Sequence, residues 1–187
     1  QIYSYREIDP LGGKDPYSAS KSAVELAINS WRSSFCGLKS HQIRNLGIST
    51  VRAGNVVGGG DWAEDRIVPD AIRSLIEKKS LNIRNPKSIR PWQHVLEPLN
   101  GYVLLAKEMY ESLPITDNDN QEIYGAFNFG PTINSNKSVE ELIQKINQYW
   151  EGSYSKLKSP EEFHEEMILK LSSEKANKVL GWRQVWD

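Results

Sequence analysis

Cysteine and histidine are scarce in this sequence, which has one cysteine and three histidines among 187 residues. Cys36 has no partner for an intramolecular disulfide, so a disulfide-stapled scaffold is excluded and a reducing compartment is favoured. His41, His94 and His164 are dispersed and lack the spacing of a metal site. We therefore predict neither a structural disulfide nor a bound metal.

The sequence also lacks a strong charge bias and long apolar runs. Its net charge is −1 and its basic residues are scattered, so no footprint for nucleic acid or an anionic membrane stands out. No apolar run approaches the roughly 20 residues that cross a bilayer, and the first residues do not form a signal-peptide pattern. These absences predict a soluble, cytoplasmic protein with no nucleic-acid or membrane partner.

A glycine-rich dinucleotide-binding turn is missing as well. Such a turn has glycines at Gly-x-Gly-x-x-Gly or similar spacing and holds a pyrophosphate at a helix N-terminus. Gly12-Gly13 and Gly58-Gly59-Gly60 do not fit that spacing. Any dinucleotide site in this chain is therefore expected to be incomplete.

Helical and extended patterns alternate along the chain. Apolar spacing and capping signals predict helices over 16–35, 67–79, 96–113, 138–150 and 173–180, and strands over 47–53, 81–84, 124–130 and 166–171. The intervening 54–62, 85–92, 114–121 and 152–160 are predicted to be loops or linkers. This alternation predicts an α/β fold with a parallel sheet covered by helices.

Tyr17 and Lys21 are the clearest candidates for chemistry. They lie four residues apart, so a helix places the phenol and the ammonium on one face. Asp15 is suited to cap this helix and Pro16 to occupy its first turn, which would fix the pair at a defined helix start. A fixed cation stabilises a phenolate, so the pair could take a proton from a sugar hydroxyl.

A second pair with the same spacing shows that spacing alone is weak evidence. Tyr154 and Lys158 lie in a segment rich in serine, lysine and glycine that ends at Pro160. This composition is typical of a mobile connection. We therefore predict no site at Tyr154 and Lys158.

Several motifs together resemble the extended short-chain dehydrogenase/reductase family. The resemblance covers nearly the whole chain and is most specific in the Gly-Gly-Gly-Asp-Trp run at 58–62 and the Arg-Pro-Trp-Gln-His-Val run at 90–95. The Asp-Pro-Tyr-Ser-Ala-Ser-Lys run at 15–21, Val-Arg-Ala-Gly-Asn at 51–55 and Phe-Asn-Phe-Gly-Pro at 127–131 also match. Within the family, these runs look most similar to enzymes that dehydrate CDP-sugars.

The resemblance implies a Rossmann-like fold, NAD as the cofactor and a nucleotide-sugar substrate, with CDP-glucose favoured. Residues 1–60 would be the remainder of the Rossmann-like domain, and 61–187 mainly a substrate-binding lobe, with 93–130 returning to the sheet. Tyr17 and Lys21 would be catalytic and would also bind the cofactor. The residues implied to bind substrate are Asn55, Arg66, Asn85, Arg90 and Trp92.

The resemblance also implies that a cofactor-binding half is absent from these residues, so we expect a C-terminal portion of a lyase that is inactive alone. The apolar face of the helix over 16–35 resembles helices that pair in family dimers, which predicts a homo-oligomer. Two alternatives stay open. One is another nucleotide-sugar epimerase or dehydratase, and the other is a noncatalytic domain that binds nucleotide sugar or mediates assembly.

Overall fold

The computed structural model describes residues 3–117, 121–156 and 168–186, in which helices and strands alternate. The helices are α1 (Pro16–Phe35), α2 (Ile67–Ile76), α3 (Leu96–Glu111), α4 (Val139–Asn147) and α5 (Glu174–Leu180). The strands are β1 (Thr50–Ala53), β2 (Asn55–Val57), β3 (Leu81–Ile83), β4 (Ile89–His94), β5 (Ala126–Phe129), β6 (Asn136–Ser138) and β7 (Tyr154–Lys156). The predicted α/β fold class is confirmed.

The strands form three small sheets. β1 pairs with β5 in parallel, and β3 pairs with β7 in parallel. In the third sheet β4 lies between β2, its parallel partner, and β6, its antiparallel partner. Parallel pairs require crossover connections, and the helices supply them.

One hydrophobic core lies beneath the β1–β5 pair. Phe127 and Phe129 of β5 are completely buried, and Trp182 packs edge-on against Phe129 with ring centroids 5.2 Å apart. Helix α3 approaches closely because Gly101 faces the same ring, and a Cβ at that position would overlap it. Packing at this density makes the core sensitive to the loss or addition of single groups.

A second core joins the β3–β7 pair to two helices. Its buried members are Ala71 of α2, Leu81 and Ile83 of β3, and Ile143 of α4. Tyr154 of β7 packs against this cluster, and its hydroxyl donates to Glu140 at 2.8 Å. The Tyr154 ring therefore packs in the core. Lys158, the lysine four residues after Tyr154, lies outside the described residues.

Local capping signals in the sequence correctly predict three helix ends. The Asp15 carboxylate accepts a hydrogen bond from the Ser18 N–H at 3.0 Å at the start of α1. Ser138 and Glu141 form a reciprocal capping box at the start of α4. Gly181 ends α5 with a φ of 65°, a left-handed conformation that favours glycine.

Three strands lie where loops or linkers are predicted. β2 lies within 54–62, β4 begins in the second half of 85–92 and continues to His94, and β7 lies within 152–160. Each is short and is held by a partner distant in sequence, which a local pattern does not reveal. The predicted strand over 166–171 lies partly outside the described residues, and Ile168 and Leu171 there form only isolated bridges.

Helix α1 is the predicted length, but none of its residues is buried. Its contact with the sheet is a polar tie, because the Glu25 carboxylate accepts from Thr50 Oγ1 at 2.8 Å and from Arg52 Nε at 2.7 Å. The Arg52 hydrogen bond lowers the pKa of Glu25, burial opposes the shift, and the Thr50 hydrogen bond adds to the lowering. In the described parts of the chain, no helix is long and apolar enough to span a membrane.

The hydrogen bonds from Thr50 and Arg52 to Glu25 predict that the free energy of unfolding depends on pH. Because the folded pKa of Glu25 is lowered, its stabilising contribution is complete above the unfolded value, ordinarily 4.5, and is lost as pH falls through the folded value. We expect Glu25→Gln to lower the free energy of unfolding at neutral pH by on the order of 1 kcal/mol. The difference from wild type should vanish in acid.

Urea unfolding across that pH range measures this difference, with Glu151→Gln as the control because Glu151 is exposed. If the difference in the free energy of unfolding between wild type and Glu25→Gln stayed constant with pH, the stabilising role of the Glu25 carboxylate would be contradicted.

Candidate active site

The start of α1 presents Tyr17 and Lys21 together. The Lys21 Nζ lies 5.7 Å from the centroid of the Tyr17 ring, and the Tyr17 side chain is largely exposed. Both are positioned by the capped first turn, and Ser22 Oγ donates to Gly12 O at 3.0 Å, which ties the helix to the preceding segment. The pair is thus held at the surface with its polar atoms accessible.

Tyr17 borders two grooves. The Lys21 groove runs between α1 and β1 and is lined by Tyr5, Leu11, Gly12, Lys21, Val24, Val51 and Asn128, among others. The Asn55 groove lies along β2 and the start of α2, and is lined by Asn55, the glycines 58–60, Asp61, Trp62, Arg66, Arg90 and Trp92, among others. Tyr17 therefore lines both grooves. The Lys21 groove offers an ammonium group, and the Asn55 groove offers amide, guanidinium and indole groups.

Parallel pairing of β2 and β4 brings Asn55 and Trp92 together. They are partners in the register, so their side chains stand side by side on the sheet. Arg90 lies two residues before Trp92 and therefore on the same face. The Trp92 indole donates to Lys137 O at 3.0 Å, which fixes its orientation. The sheet thus presents an amide, an indole and a guanidinium to the same groove.

The arginines of this region differ in exposure. Arg90 is nearly buried and its Nη1 donates to Ile89 O at 3.0 Å. Arg66, just before α2, is exposed and lies 3.6 Å from Asp61 Oδ2 through its Nη1. Arg90 is therefore a buried cation and Arg66 an exposed one.

One predicted residue does not lie in this groove. Asn85 follows β3, where its carbonyl accepts from the Ser88 N–H at 3.2 Å, and it does not line the Asn55 groove. The structure thus brings together Tyr17, Asn55, Arg66, Arg90 and Trp92, with Lys21 in the adjoining groove.

Two acidic residues at the rim of the Asn55 groove are not among the site residues predicted from the sequence. Asp61 pairs with Arg66, and Asp65 forms an ion pair with Arg84. Asp65 has a φ of 61°, which is uncommon for a residue other than glycine and costs conformational energy. The Gly-Gly-Gly-Asp-Trp run at 58–62 marks this loop in the sequence. The ion pair between Asp65 and Arg84 depends on tertiary contact and is not visible in the sequence.

The described residues offer no metal centre. Within 3–117, 121–156 and 168–186, no group of three or more His, Cys, Asp or Glu side chains is placed to hold a metal ion. The Asn55 groove offers a ligand amide, guanidinium and indole groups, with the carboxylates of Asp61 and Asp65 at its rim.

Comparison with known proteins gives one strong sequence similarity. The chain matches no family model. It is 43% identical over 186 residues to a CDP-glucose 4,6-dehydratase of Salmonella typhimurium, which covers 99% of this chain and 50% of that protein, its C-terminal part. The chain therefore spans about half the length of the curated relative that it matches.

Solved structures show the same fold at lower identity. The dTDP-glucose 4,6-dehydratase DesIV of Streptomyces venezuelae, determined with NAD and TYD bound, matches with a TM-score of 0.76 and 18% identity, over 100% of this chain and 51% of that one. A UDP-glucose 4-epimerase of Thermotoga maritima with UDP-glucose matches with a TM-score of 0.71 and 16% identity, over 100% and 54%. The chain thus has the fold of one half of the extended short-chain dehydrogenase/reductase enzymes, and it is related in sequence to the C-terminal part of a CDP-glucose 4,6-dehydratase.

Proposed function

We propose that this chain supplies the substrate-binding portion and the Tyr–Lys pair of an NAD-dependent nucleotide-sugar 4,6-dehydratase, a lyase that converts CDP-glucose to CDP-4-keto-6-deoxyglucose. The observation that carries the proposal is the 43% identity over 186 residues to a protein of that name. The placement of Tyr17 at the edge of the Asn55 groove supports it.

Tyr17 is the proposed acceptor of the proton from the C4 hydroxyl of the sugar. Its side chain is largely exposed and borders the groove, and the Lys21 Nζ lies 5.7 Å from the centroid of its ring. The proton moves from the sugar oxygen to the phenolate oxygen as the C4 carbon is oxidised. NAD, when bound, supplies the hydride acceptor for that oxidation and the hydride returned to C6 after water is lost.

The residues present fit only one end of NAD. The accessible Tyr17 hydroxyl and Lys21 ammonium suit the hydroxyl groups of the nicotinamide ribose. Gly13 is not available for the pyrophosphate, because it packs on the first turn of α1, where a Cβ would lie 2.6 Å from Ala19 N. We propose that the pyrophosphate and adenosine are held by residues other than those that the structure describes.

The substrate is proposed to lie in the Asn55 groove. The buried guanidinium of Arg90 and the exposed one of Arg66 suit a diphosphate, since planar donors pair with phosphate oxygens. The Asn55 amide suits a sugar or phosphate oxygen, and the Trp92 indole offers a face for the cytosine ring. A binding role for Asn85 stays a prediction without support from the groove.

Calorimetry with CDP-glucose and with NAD tests the binding part of the proposal on the chain itself. We expect CDP-glucose to bind and NAD to bind weakly or not at all, because only its ribose contacts are present. Arg66→Gln should weaken CDP-glucose binding about tenfold, since a hydrogen bond to a charged group contributes roughly 1.5–3 kcal/mol. Arg44→Gln, at an exposed position that does not line the groove, is the matched control.

Binding of neither compound would contradict the proposal and favour an assembly role. Equal binding of CDP-, dTDP- and UDP-glucose would retain the nucleotide-sugar site and reject the selectivity for CDP.

A further inference from the structure

Part of the Asn55 groove wall is a loop, residues 61–66, that belongs to no helix or strand. Four residues of this loop line the groove, and all four are exposed: Asp61, Trp62, Asp65 and Arg66. A loop that becomes ordered only on binding costs conformational entropy, which weakens the affinity for the ligand. The contacts that hold this loop in the free protein therefore bear directly on binding.

Arg73 of α2 holds the loop by its main chain. Its Nη1 donates to Trp62 O at 2.7 Å, and its Nη2 donates to Ala63 O at 3.2 Å. Its Nη2 also pairs with the Asp70 carboxylate, one turn earlier on α2. The Arg73 side chain is only 30% exposed and does not line the Asn55 groove. One guanidinium thus binds two successive carbonyls of the groove wall without facing the ligand.

The turn that Arg73 holds also orients Arg66. The Ala63 N–H donates to Asp61 Oδ1 at 3.0 Å, which closes a turn within the loop. The other oxygen of the same carboxylate, Asp61 Oδ2, lies 3.6 Å from Arg66 Nη1. A continuous line of contacts therefore runs from Arg73 through Ala63 and Asp61 to Arg66, which is a proposed ligand of the diphosphate.

The geometry of Arg73 can be separated from its charge. The ion pair with Asp70 offsets the charge of Arg73, so the two residues together add little net charge beside the groove. A lysine at position 73 would keep a positive charge beside Asp70, but it lacks the planar fork that spans two carbonyls. Arg73→Lys therefore removes the hold on the loop and preserves the charge.

We propose that Arg73 is a positioning residue of the Asn55 groove, which fixes the loop 61–66 and through it holds the Arg66 guanidinium in place for a diphosphate. The identity of the ligand rests on the proposed function. The hydrogen bonds from Arg73 to the loop do not depend on a ligand, so they are tested separately.

Amide hydrogen exchange measured by NMR without ligand tests the hold on the loop. We expect Arg73→Lys to speed exchange of the Ala63 amide about tenfold, because the turn opens more often once its carbonyls are released. The Ser18 amide is the internal control, since it also donates to an aspartate carboxylate, that of Asp15, at 3.0 Å. Unchanged exchange at Ala63, or an equal increase at both amides, would overturn the proposal.

Calorimetry with CDP-glucose tests the effect on binding. Arg73→Lys should weaken binding about fivefold in the wild-type background and less than about twofold in the Arg66→Gln background, because residues that act through one another are not additive. Arg32→Lys should leave binding unchanged. It is the matched control, since Arg32 also donates from a helix to a main-chain carbonyl, Ile48 O at 3.4 Å, and does not line the groove.

Equal losses in the two backgrounds, or no loss in the wild-type background, would also overturn the proposal. If the wild-type chain binds no CDP-glucose, the proposed function is rejected. Exchange at Ala63 would then still decide whether Arg73 holds the loop, so the two failures are distinguishable.

Discussion

Replacing Phe129 with alanine is expected to lower the free energy of unfolding by about 3–5 kcal/mol, the range for a fully buried phenylalanine. The ring is completely buried and touches three other rings, with centroid distances of 5.2 Å to Trp182, 5.4 Å to Tyr102 and 6.4 Å to Phe127. It also fills the space that Gly101 leaves on α3, so its loss would leave a cavity between helix and sheet. Urea unfolding followed by tryptophan fluorescence measures the change.

Phe35→Ala is the matched control, because it removes the same ring from a side chain that is 42% exposed at the end of α1. We expect it to cost much less than Phe129→Ala. Equal losses would mean that the packing around Phe129 is not the centre of this core. Since small domains are stable by only about 5–15 kcal/mol, the Phe129 variant should be close to unfolding.

Replacing Tyr17 with phenylalanine is expected to lower turnover of CDP-glucose by about 10²–10⁴-fold in a fusion of the N-terminal half of the Salmonella typhimurium protein to this chain, the usual contribution of a positioned acid–base group. The variant keeps the ring beside Lys21 and removes only the hydroxyl that exchanges the proton. The loss should fall on kcat rather than on KM, because that hydroxyl acts during the reaction. Steady-state assays give both values.

The chain offers a close control for this experiment. Tyr149 also has a lysine ammonium over its ring, with Lys145 Nζ 5.4 Å from the centroid, but it is exposed and lies outside the Asn55 groove. Tyr149→Phe should leave turnover unchanged. Undiminished turnover in Tyr17→Phe would remove Tyr17 from the mechanism, whatever the behaviour of the control.

Elements specified by nearby residues could be predicted from the sequence. α1 begins and ends as predicted because Asp15 and Pro16 form its cap and first turn within the same segment. α2, α3 and α4 end two or three residues before their predicted ends. Helix ends without a local cap are set by tertiary contacts.

The β2–β4–β6 sheet could not be predicted, and Pro91 shows why. A proline within a run argues against a central strand because it cannot donate to a neighbour. β4 tolerates Pro91 because its first half pairs with β6 and its second half with β2, so Pro91 has a strand on one side only. That arrangement depends on partners more than thirty residues away in each direction.

The candidate site was predictable to the extent that its residues lie in distinctive runs. Five of the seven predicted site residues line one groove, and Lys21 lies next to it, whereas Asn85 does not. The ion pairs of Asp61 and Asp65 could not be inferred, because they depend on how the loop before α2 folds towards β3. Their roles in binding and chemistry stay predictions for the experiments above.

Side chains pair with the main chain along the outer edge of β5: Lys175 Nζ donates to Ala126 O at 2.9 Å, the Asn128 N–H donates to Glu7 Oε1 at 2.8 Å, and the Gly130 N–H donates to Ser173 Oγ at 2.7 Å. A sheet that is bare on both sides can add neighbours without end, as in fibrils, whereas a sheet that is bare on one side is filled by a single neighbour. Lys175, Glu7 and Ser173 act as terminators of sheet growth on the β5 side. Addition of a further strand on the β5 side would therefore have to break these three hydrogen bonds.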